Sequence, residues 1–445
     1  MLRVLSGLVV YLAFVGGVAV PSRRDGDDPL QRAGLAVGSG LLINLGLVLA
    51  GLRLVAALLA GLPFAAWGAW RLWRSVRSRG RLPRPGAGVV AACGGAAYLL
   101  GAYYLEILSE PLIRWDARSI WFFHARMIWL DQAVRAATGW THPSAAFSHP
   151  DYPKLVPTLA AELATLAGYW NEYLPKGSLV VMLVPVTLWL FSLRRSGPRF
   201  VLLVAALLFS LDGWLSNGLM DAYVVIYCAL GVIFAARYCA GRRAIDLCSA
   251  LCALGIAMCL KNEALVFAAA LVGTVSLMLP RQMRVDIRDV AAAIADDAHV
   301  AACAVVAAMP TVLWTVDKSL WGLRTEYLAG GALTRLHDRA TDGSSIAHIL
   351  QYLTIQASAI WAPATILAAG AFLCVQSRWP VHVGVRIAAL TTALYVAGVY
   401  LTYLITPWGL DFQLSTSATR LMSTAMMALL VGISFLLESF EAARA

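Results

Sequence analysis

Runs of about twenty apolar residues recur along this chain and limit what it can fold into. Residues 31–50 contain one charged side chain, and residues 221–239 contain two. A helix needs about 20 such residues to cross the hydrocarbon core of a bilayer. Hydrophobic residues make up 60% of all 445, more apolar surface than a soluble fold of this size could bury. The alternation typical of membrane β-strands is absent. We therefore predict an all-α, polytopic transmembrane helical bundle.

Thirteen segments have the hydropathy of membrane spans. They are 2–20, 31–50, 53–72, 87–106, 178–193, 200–216, 221–239, 247–260, 264–279, 298–316, 350–374, 385–405 and 419–437. The first resembles the hydrophobic part of a signal peptide but lacks a good cleavage site, so we keep it as a helix. The run 155–169 is apolar but short, and we predict a helix that dips into the membrane or lies at its surface.

Arginine clusters in short loops orient these spans, because cytoplasmic loops carry an excess of Lys and Arg. The clearest cluster lies within residues 71–84. If loop 71–84 is cytoplasmic and successive spans cross the membrane in alternating directions, five segments lie on the outer face: 107–177, 217–220, 261–263, 317–349 and 406–418. The formal charge of +10 is mostly arginine in such loops, so it indicates topology rather than nucleic-acid binding. All eight cysteines fall in apolar segments, which favours buried thiols over disulfides or metal ligands.

The first large outer loop concentrates charged, histidine and aromatic side chains. Only 13% of the chain is charged, yet residues 107–151 hold Arg114, Asp116, Arg118 and Arg126 together with His124. The aromatic residues there are typical of an interfacial belt. Asp116 is different, because a carboxylate beside Trp115 at a membrane surface indicates either an ion-pair partner or a functional role. Carboxylate and guanidinium groups at that level can hold the charged head of a lipid.

Further outer turns add charge at helix ends. Asp221 begins a predicted helix, where the macrodipole favours an acid. Lys261-Asn262-Glu263 forms a tight reversal between two apolar segments. Arg420 lies next to the predicted start of the last helix, where a cation opposes the macrodipole, so we expect a carboxylate or a bound anion beside it.

Loop 317–349 is another long outer loop, and it holds several basic residues, among them Lys318, Arg335 and Arg339. It has few apolar residues and contains Gly330-Gly331 and Asp342-Gly343-Ser344-Ser345. These turn residues predict a mobile segment that acts as a lid or an acceptor clamp.

Taken in order, these motifs resemble the GT-C superfamily of polyprenyl-phosphate-sugar-dependent glycosyltransferases, including its protein mannosyltransferase and aminoarabinose transferase branches. The resemblance covers about residues 87–437. It is carried by RWDARSIWFFHAR, SHPDYPKLVPTLAAELATLAGYWNE, SNGLMDAYVVIY, CLKNEALVF and TPWGLDFQLSTSATRL. The chain departs from the family where His149-Pro150-Asp151 replaces His-Pro-Pro, and no Asp-x-Asp pair follows Asp116.

The resemblance implies a GT-C-like catalytic domain over residues 87–445, which includes the outer loop 107–177, preceded by accessory helices in 1–86. It implies a catalytic role for Asp116, as general base, and for Asp221. The residues expected to bind the donor phosphate are Arg118, Arg126, Lys154, Lys261 and Arg420. The residues expected to bind the sugar or acceptor are His149, Asp151, Tyr152, Asn262 and Glu263.

The implied reaction moves a sugar, with inversion, from a polyprenyl-monophosphate donor to the hydroxyl of a cell-envelope glycan, glycolipid or protein. No cofactor and no nucleic-acid partner are expected, and a metal is not indicated by the residues. The expected location is a bacterial inner membrane, with the site on the extracytoplasmic side. Two alternatives remain open: a polysaccharide polymerase or ligase that uses a diphosphate-linked donor, and a flippase for lipid-linked sugars. The apolar character of the mid-span residues disfavours transport.

Overall fold

The computed structural model describes residues 28–61, 87–134, 138–194, 197–211, 213–283, 298–323, 325, 327, 330–356 and 358–444. The structure is 82% helix and contains no strand within these ranges, which confirms the all-α prediction. The predicted span 2–20, most of 53–72 and the basic segment 71–84 lie outside the described residues.

Fifteen α-helices are labelled here in chain order. The first eight are α1 (Pro29–Leu49), α2 (Ala87–Ser109), α3 (Phe122–Asp131), α4 (Leu155–Ala167), α5 (Gly177–Ser192), α6 (Gly197–Ser210), α7 (Met220–Gly241) and α8 (Ala244–Met258). The others are α9 (Glu263–Met283), α10 (Ala298–Leu320), α11 (Ala332–Thr341), α12 (Gly343–Gln356), α13 (Ser358–Gln376), α14 (Val383–Ile405) and α15 (Leu410–Arg444). A π-helical turn, Ala117–Trp121, leads directly into α3.

Six of the described helices are long and apolar enough to cross a membrane, or seven if α12 and α13 form one bent span. The six are α1, α2, α7, α10, α14 and α15. The helices α5 and α8 overlap predicted spans but, at 16 and 15 residues, are shorter than these six. Several apolar helices thus suggest a membrane protein, whereas the count of thirteen spans stays a prediction.

The helix α4 is the segment that was predicted to dip into the membrane. It has 13 residues and is therefore about 20 Å long, too short for a full crossing. Its residues from Leu155 to Ala164 are all buried, and Glu162 accepts two hydrogen bonds from Asn44 of α1 at 2.7 and 2.9 Å. The helix is therefore held inside the bundle by both apolar and polar contacts.

Charged side chains lie at both ends of α7. Asp221 is in the first turn of α7, and Arg237, near the other end of the same helix, contacts Asp246 at 3.2 Å. At that second end Gln31 of α1 also donates to Asp246 at 2.7 Å. Asp221 of the predicted outer group is thus separated by the length of α7 from Arg242 at its other end, and the orientation of the bundle in a membrane stays a prediction.

Two predictions about the outer segments were wrong. Segment 317–349 is not an extended polar loop, because α10 continues to Leu320 and both α11 and the start of α12 lie within it. Arg339 of α11 donates to the carbonyls of Tyr403 and Thr406 at 3.0 and 2.7 Å, which fixes α11 on the C-terminal end of α14. The last helix begins at Leu410, not near 419, so Arg420 lies well inside it.

Close helix packing at the centre depends on a glycine of α8. A Cβ atom on Gly255 would lie 2.8 Å from the carbonyl oxygen and 2.9 Å from the Cα of Ala307 in α10. Backbone atoms cannot move aside as a flexible side chain would, so the two helices would have to separate. Gly273 of α9 has no atom within 4 Å of the same position.

We predict that Gly255→Ala destabilises the protein by about 1–3 kcal/mol through overpacking, whereas Gly273→Ala does not. Heating each variant in mild detergent and measuring the folded fraction by size-exclusion chromatography tests this. Equal midpoints for the two variants would contradict the close approach of α8 and α10.

Candidate active site

Five side chains form an unbroken chain of opposite charges at the predicted outer end of the bundle. Arg420 Nη1 lies 2.7 Å from Asp116 Oδ2 and 3.5 Å from Asp221 Oδ2. Lys261 Nζ lies 2.9 Å from Asp221 Oδ1 and 3.4 Å from Glu263 Oε1. We call these residues the ion-pair chain. It brings together both predicted catalytic acids, two of the predicted phosphate-binding cations and one predicted sugar- or acceptor-binding residue.

Four separate elements supply the ion-pair chain. Asp116 directly precedes the π-helical turn and makes no capping hydrogen bond with its side chain. Asp221 lies in the first turn of α7, as the macrodipole argument predicted. Lys261 and Glu263 lie where α8 ends and α9 begins. Arg420 reaches in from α15, where its Nε also donates to the Thr416 carbonyl at 3.0 Å. A carboxylate partner for Arg420 was expected, but the reason was wrong, because the residue is not at a helix start.

Burial changes along the ion-pair chain. The side chains of Asp221 and Lys261 are 7% and 8% exposed, whereas Asp116 and Glu263 at its two ends are 29% and 28% exposed. The centre is thus protected, and a carboxylate at each end can meet a ligand. Three carboxylates against two cations leave a formal charge of −1.

Lys261 stays charged in this setting. Burial by itself lowers the pKa of Lys261, but the carboxylates of Asp221 and Glu263 outweigh it, and the pKa lies above the ordinary value. Breaking a buried pair is costly because the remaining charge has lost both its water and its partner. Lys261 and Asp221 are therefore a structural unit as well as part of the site.

Lys154 does not join the ion-pair chain but occupies an aromatic cage of its own. Its side chain is 1% exposed, and Nζ lies 4.2 Å from the ring centre of Trp140 and 4.6 Å from that of Trp314. Nζ also donates to the Pro150 carbonyl at 2.9 Å and contacts His124 Nδ1 at 3.1 Å. We call this arrangement the lysine cage. Burial lowers the pKa of Lys154 well below its ordinary value, and nearby Asp151 offsets only part of that shift.

The hydrogen bonds of His124 indicate which of its ring nitrogens carries the proton. Ser148 Oγ donates to the Ala145 carbonyl at 2.6 Å and therefore accepts from His124 Nε2 at 3.1 Å. Nδ1 is then free to accept from Lys154. Burial, with a further contribution from Lys154, lowers the pKa of His124 well below 6.5, which agrees with a neutral ring.

Asp151 connects the lysine cage with the ion-pair chain. Its Oδ2 accepts from Asn262 Nδ2 at 3.0 Å, and Asn262 lies between Lys261 and Glu263 in the turn. Its backbone carbonyl accepts from Trp314 Nε1 at 3.0 Å. Burial raises the pKa of Asp151, and the neighbouring lysines reduce that effect. The predicted sugar- or acceptor-binding residues Asp151 and Asn262 are thus adjacent to the ion-pair chain.

The other predicted residues fall into two groups. Tyr152 stacks on His149, with ring centres 5.0 Å apart, and lies 5.6 Å from Trp121 in the π-helical turn. Arg118 and Arg126 are exposed, and neither side chain contacts the ion-pair chain within the described part of the protein. The structure therefore brings Tyr152 and His149 to the site and leaves these two arginines outside it.

Comparison with protein-family models, with characterised proteins and with solved structures found no match. Among the described residues, no group of three or more His, Cys, Asp and Glu side chains could hold a metal ion.

Sequence reasoning did not assign a role to three residues of this region: Trp140, Trp314 and Lys318. The two tryptophans enclose Lys154 from elements more than 150 positions apart, and nothing in their local sequence indicates that contact. Lys318 lies in the last turn of α10, where its charge opposes the effect of burial on the pKa of Asp151, and its local sequence does not indicate that interaction.

We predict that Lys261→Met lowers the free energy of unfolding by about 3–5 kcal/mol, because it leaves Asp221 buried without its closest cation. The double variant Lys261→Met/Asp221→Asn removes both charges and should recover part of the loss. Unfolding midpoints of the three proteins in detergent give the comparison. A single variant as stable as the parent would show that the pair is not buried.

Proposed function

We propose that this protein is a membrane glycosyltransferase of the GT-C type, which moves a sugar from a polyprenyl-monophosphate donor to the hydroxyl group of an extracytoplasmic acceptor. The observation that carries the proposal is the ion-pair chain, which presents the partly exposed carboxylate of Asp116 at one end of an apolar helical bundle. A lipid-linked donor needs such a juxtaposition, since its tail lies in the bilayer and its reactive head at the surface.

Asp116 is the proposed general base. One of its oxygens, Oδ2, is held by Arg420 at 2.7 Å. The other, Oδ1, makes no hydrogen bond or ion pair with the described residues. An acceptor hydroxyl at Oδ1 would lose its proton to the carboxylate as its oxygen attacks the anomeric carbon. The bond from that carbon to the phosphate oxygen breaks in the same step.

The products follow from this single displacement. The transferred sugar has an inverted configuration at its anomeric carbon, because the acceptor oxygen attacks that carbon from the face opposite to the departing phosphate, as in inverting glycosidases. The departing polyprenyl phosphate is a good leaving group and needs cations rather than a proton. The proton of the acceptor ends on Asp116 and passes to solvent at the exposed edge of the site.

The other members of the ion-pair chain have a supporting role in this proposal. Asp221 and Lys261 hold Arg420 in place, and Arg420 in turn orients the Asp116 carboxylate. A carboxylate with one oxygen fixed keeps the second oxygen in a defined direction, which is what a proton transfer requires. Asn262, Asp151 and Tyr152 form the adjacent wall, where sugar or acceptor hydroxyl groups would find both donors and acceptors.

The cellular setting is part of the same proposal. The site would face the extracytoplasmic side of a bacterial inner membrane, because Arg242 and Arg243 follow α7 at the end opposite to Asp221 and basic residues favour the cytoplasmic side. The acceptor would be a cell-envelope glycan, a glycolipid or a protein.

We predict that Asp116→Asn lowers sugar transfer by about 10²–10⁴-fold, since it removes the base and preserves the shape of the side chain. The assay uses purified protein, a labelled polyprenyl-monophosphate sugar and a panel of acceptors, and it follows the release of free polyprenyl phosphate. Asp131→Asn is the control, because Asp131 is an exposed carboxylate at the end of α3.

Near-normal transfer by Asp116→Asn would remove Asp116 from the reaction. Turnover of a diphosphate-linked donor, without turnover of the monophosphate, would favour a polymerase or ligase instead. Movement of the intact donor across vesicle membranes without cleavage would favour a flippase.

A further inference from the structure

A stripe of arginine and bulky apolar side chains lies on the surface of the first outer segment, outside the ion-pair chain. It is one side of a helical stretch, residues 115–131, whose other side is buried in the bundle through Trp121 and Ile128. The resemblance implied that two of its arginines bind a donor phosphate, but the structure leaves both outside the site. We call it the arginine stripe, and it consists of Trp115, Arg118, Phe123, Arg126, Leu130 and Phe147.

The π-helical turn aligns the two arginines of the stripe. The Phe122 N–H donates to the Ala117 carbonyl five positions earlier, so this turn contains one residue more than an α-helical turn. Arg118 and Phe123 are therefore about one turn apart. Arg126 follows Phe123 at the i+3 spacing, which brings side chains together on an α-helix. Without the extra residue, the two arginines would lie on different sides of the helix.

The apolar part of the stripe is continuous and exposed. The Phe147 ring, from the 3₁₀ turn Pro143–Ser148, lies 5.3 Å from the ring of Phe123 and 6.5 Å from that of Trp115. Trp115, Phe147 and Leu130 are 56%, 49% and 65% exposed. A group of large exposed apolar side chains beside cations indicates a surface that another molecule or a membrane covers.

The position of the stripe along the bundle favours a membrane surface. Residues 421–437 of α15 contain no charged side chain, so the apolar part of this candidate span begins directly after Arg420. Arg420 contacts Asp116 at 2.7 Å, and Asp116 is adjacent to Trp115. The stripe therefore begins at the level where the apolar part of α15 ends, which in a bilayer is the headgroup layer.

The charge of this surface favours an anionic partner. Arg114, Arg118 and Arg126 are all exposed, and their side chains make no hydrogen bond or ion pair with the described residues. Asp116 is the only acid between Arg114 and Arg126 in the sequence, and it is already paired with Arg420. A guanidinium group binds phosphate oxygens in pairs, while its aliphatic stem can lie along apolar surface.

We propose that the arginine stripe binds the headgroups of anionic phospholipids, with its aromatic and leucine side chains inserted at the edge of the hydrocarbon layer. Arg118 and Arg126 donate to the lipid phosphates, as in helices that lie in the plane of a membrane surface. The lipid is a component of the bilayer and is not consumed. The inference therefore goes beyond the proposed reaction and does not rest on it. Because Asp116 lies between Trp115 and Arg118, the bound lipids would also fix its depth.

The test is hydrogen–deuterium exchange, read by mass spectrometry, of the full chain in two kinds of nanodisc. One contains phosphatidylcholine alone, and the other contains an equal mixture of phosphatidylcholine and phosphatidylglycerol. We expect slower exchange of the amides of residues 115–131 in the mixture. Arg118→Gln and Arg126→Gln should each reduce this protection about fivefold, the factor that corresponds to about 1 kcal/mol for each basic residue at an anionic surface. Arg118→Lys should retain most of the protection.

Arg386→Gln is the matched control, because Arg386 is an exposed cation near the start of α14 and does not belong to the stripe. It should leave exchange of residues 115–131 unchanged. Equal protection in the two nanodiscs, or full protection in the Arg118→Gln/Arg126→Gln double variant, would overturn the proposal. Protection by soluble polygalacturonate instead of phosphatidylglycerol would assign the stripe to an acidic polymer and overturn it as well. No sugar donor is present, so failure of sugar transfer would leave this result unaffected.

Discussion

The buried pair of Lys261 and Asp221 is the interaction on which the architecture of this end of the bundle depends. Neither charge is stable alone in an apolar interior, because each would lose its hydration without compensation. Together, at 2.9 Å, they fix the turn between α8 and α9 against the start of α7. Arg420 can then cross from α15 to Asp116. Four elements that are distant in sequence are thus held at one point by alternating charges.

The ion-pair chain and the lysine cage are two different electrostatic environments beside one turn. The ion-pair chain has an excess of negative charge and, in the proposed reaction, presents Asp116 to an acceptor hydroxyl. The lysine cage instead holds Lys154 among neutral acceptors and aromatic rings. Asn262 joins the two through its contact with Asp151.

The sequence predicted the all-α class, the positions of most described helices and the outer group of acids and cations, because hydropathy and helix-end charges are local properties. It placed Asp221, Lys261 and Arg420 in one outer group and expected a carboxylate or an anion beside Arg420, but it did not predict which of these side chains form pairs. Two local errors have clear causes. The start of α15 was placed too late because residues 410–418 are polar, although helix formation there needs no apolar face. Segment 317–349 was predicted to be a loop from its glycines, whereas α11 lies within it and Arg335 and Arg339 donate hydrogen bonds from α11 to distant carbonyls. The lysine cage could not be predicted, since Trp140 and Trp314 meet only through tertiary packing.

The most direct measurement of the central claim is a double-mutant cycle for sugar transfer with Asp116→Asn, Arg420→Gln and the two combined. If Arg420 acts by orienting the Asp116 carboxylate, the double variant should be about as slow as the worse single variant, because groups that act as one unit are strongly non-additive. Rate losses that simply multiply would mean that the two residues work independently. In that case the ion-pair chain would not be the catalytic unit of this protein.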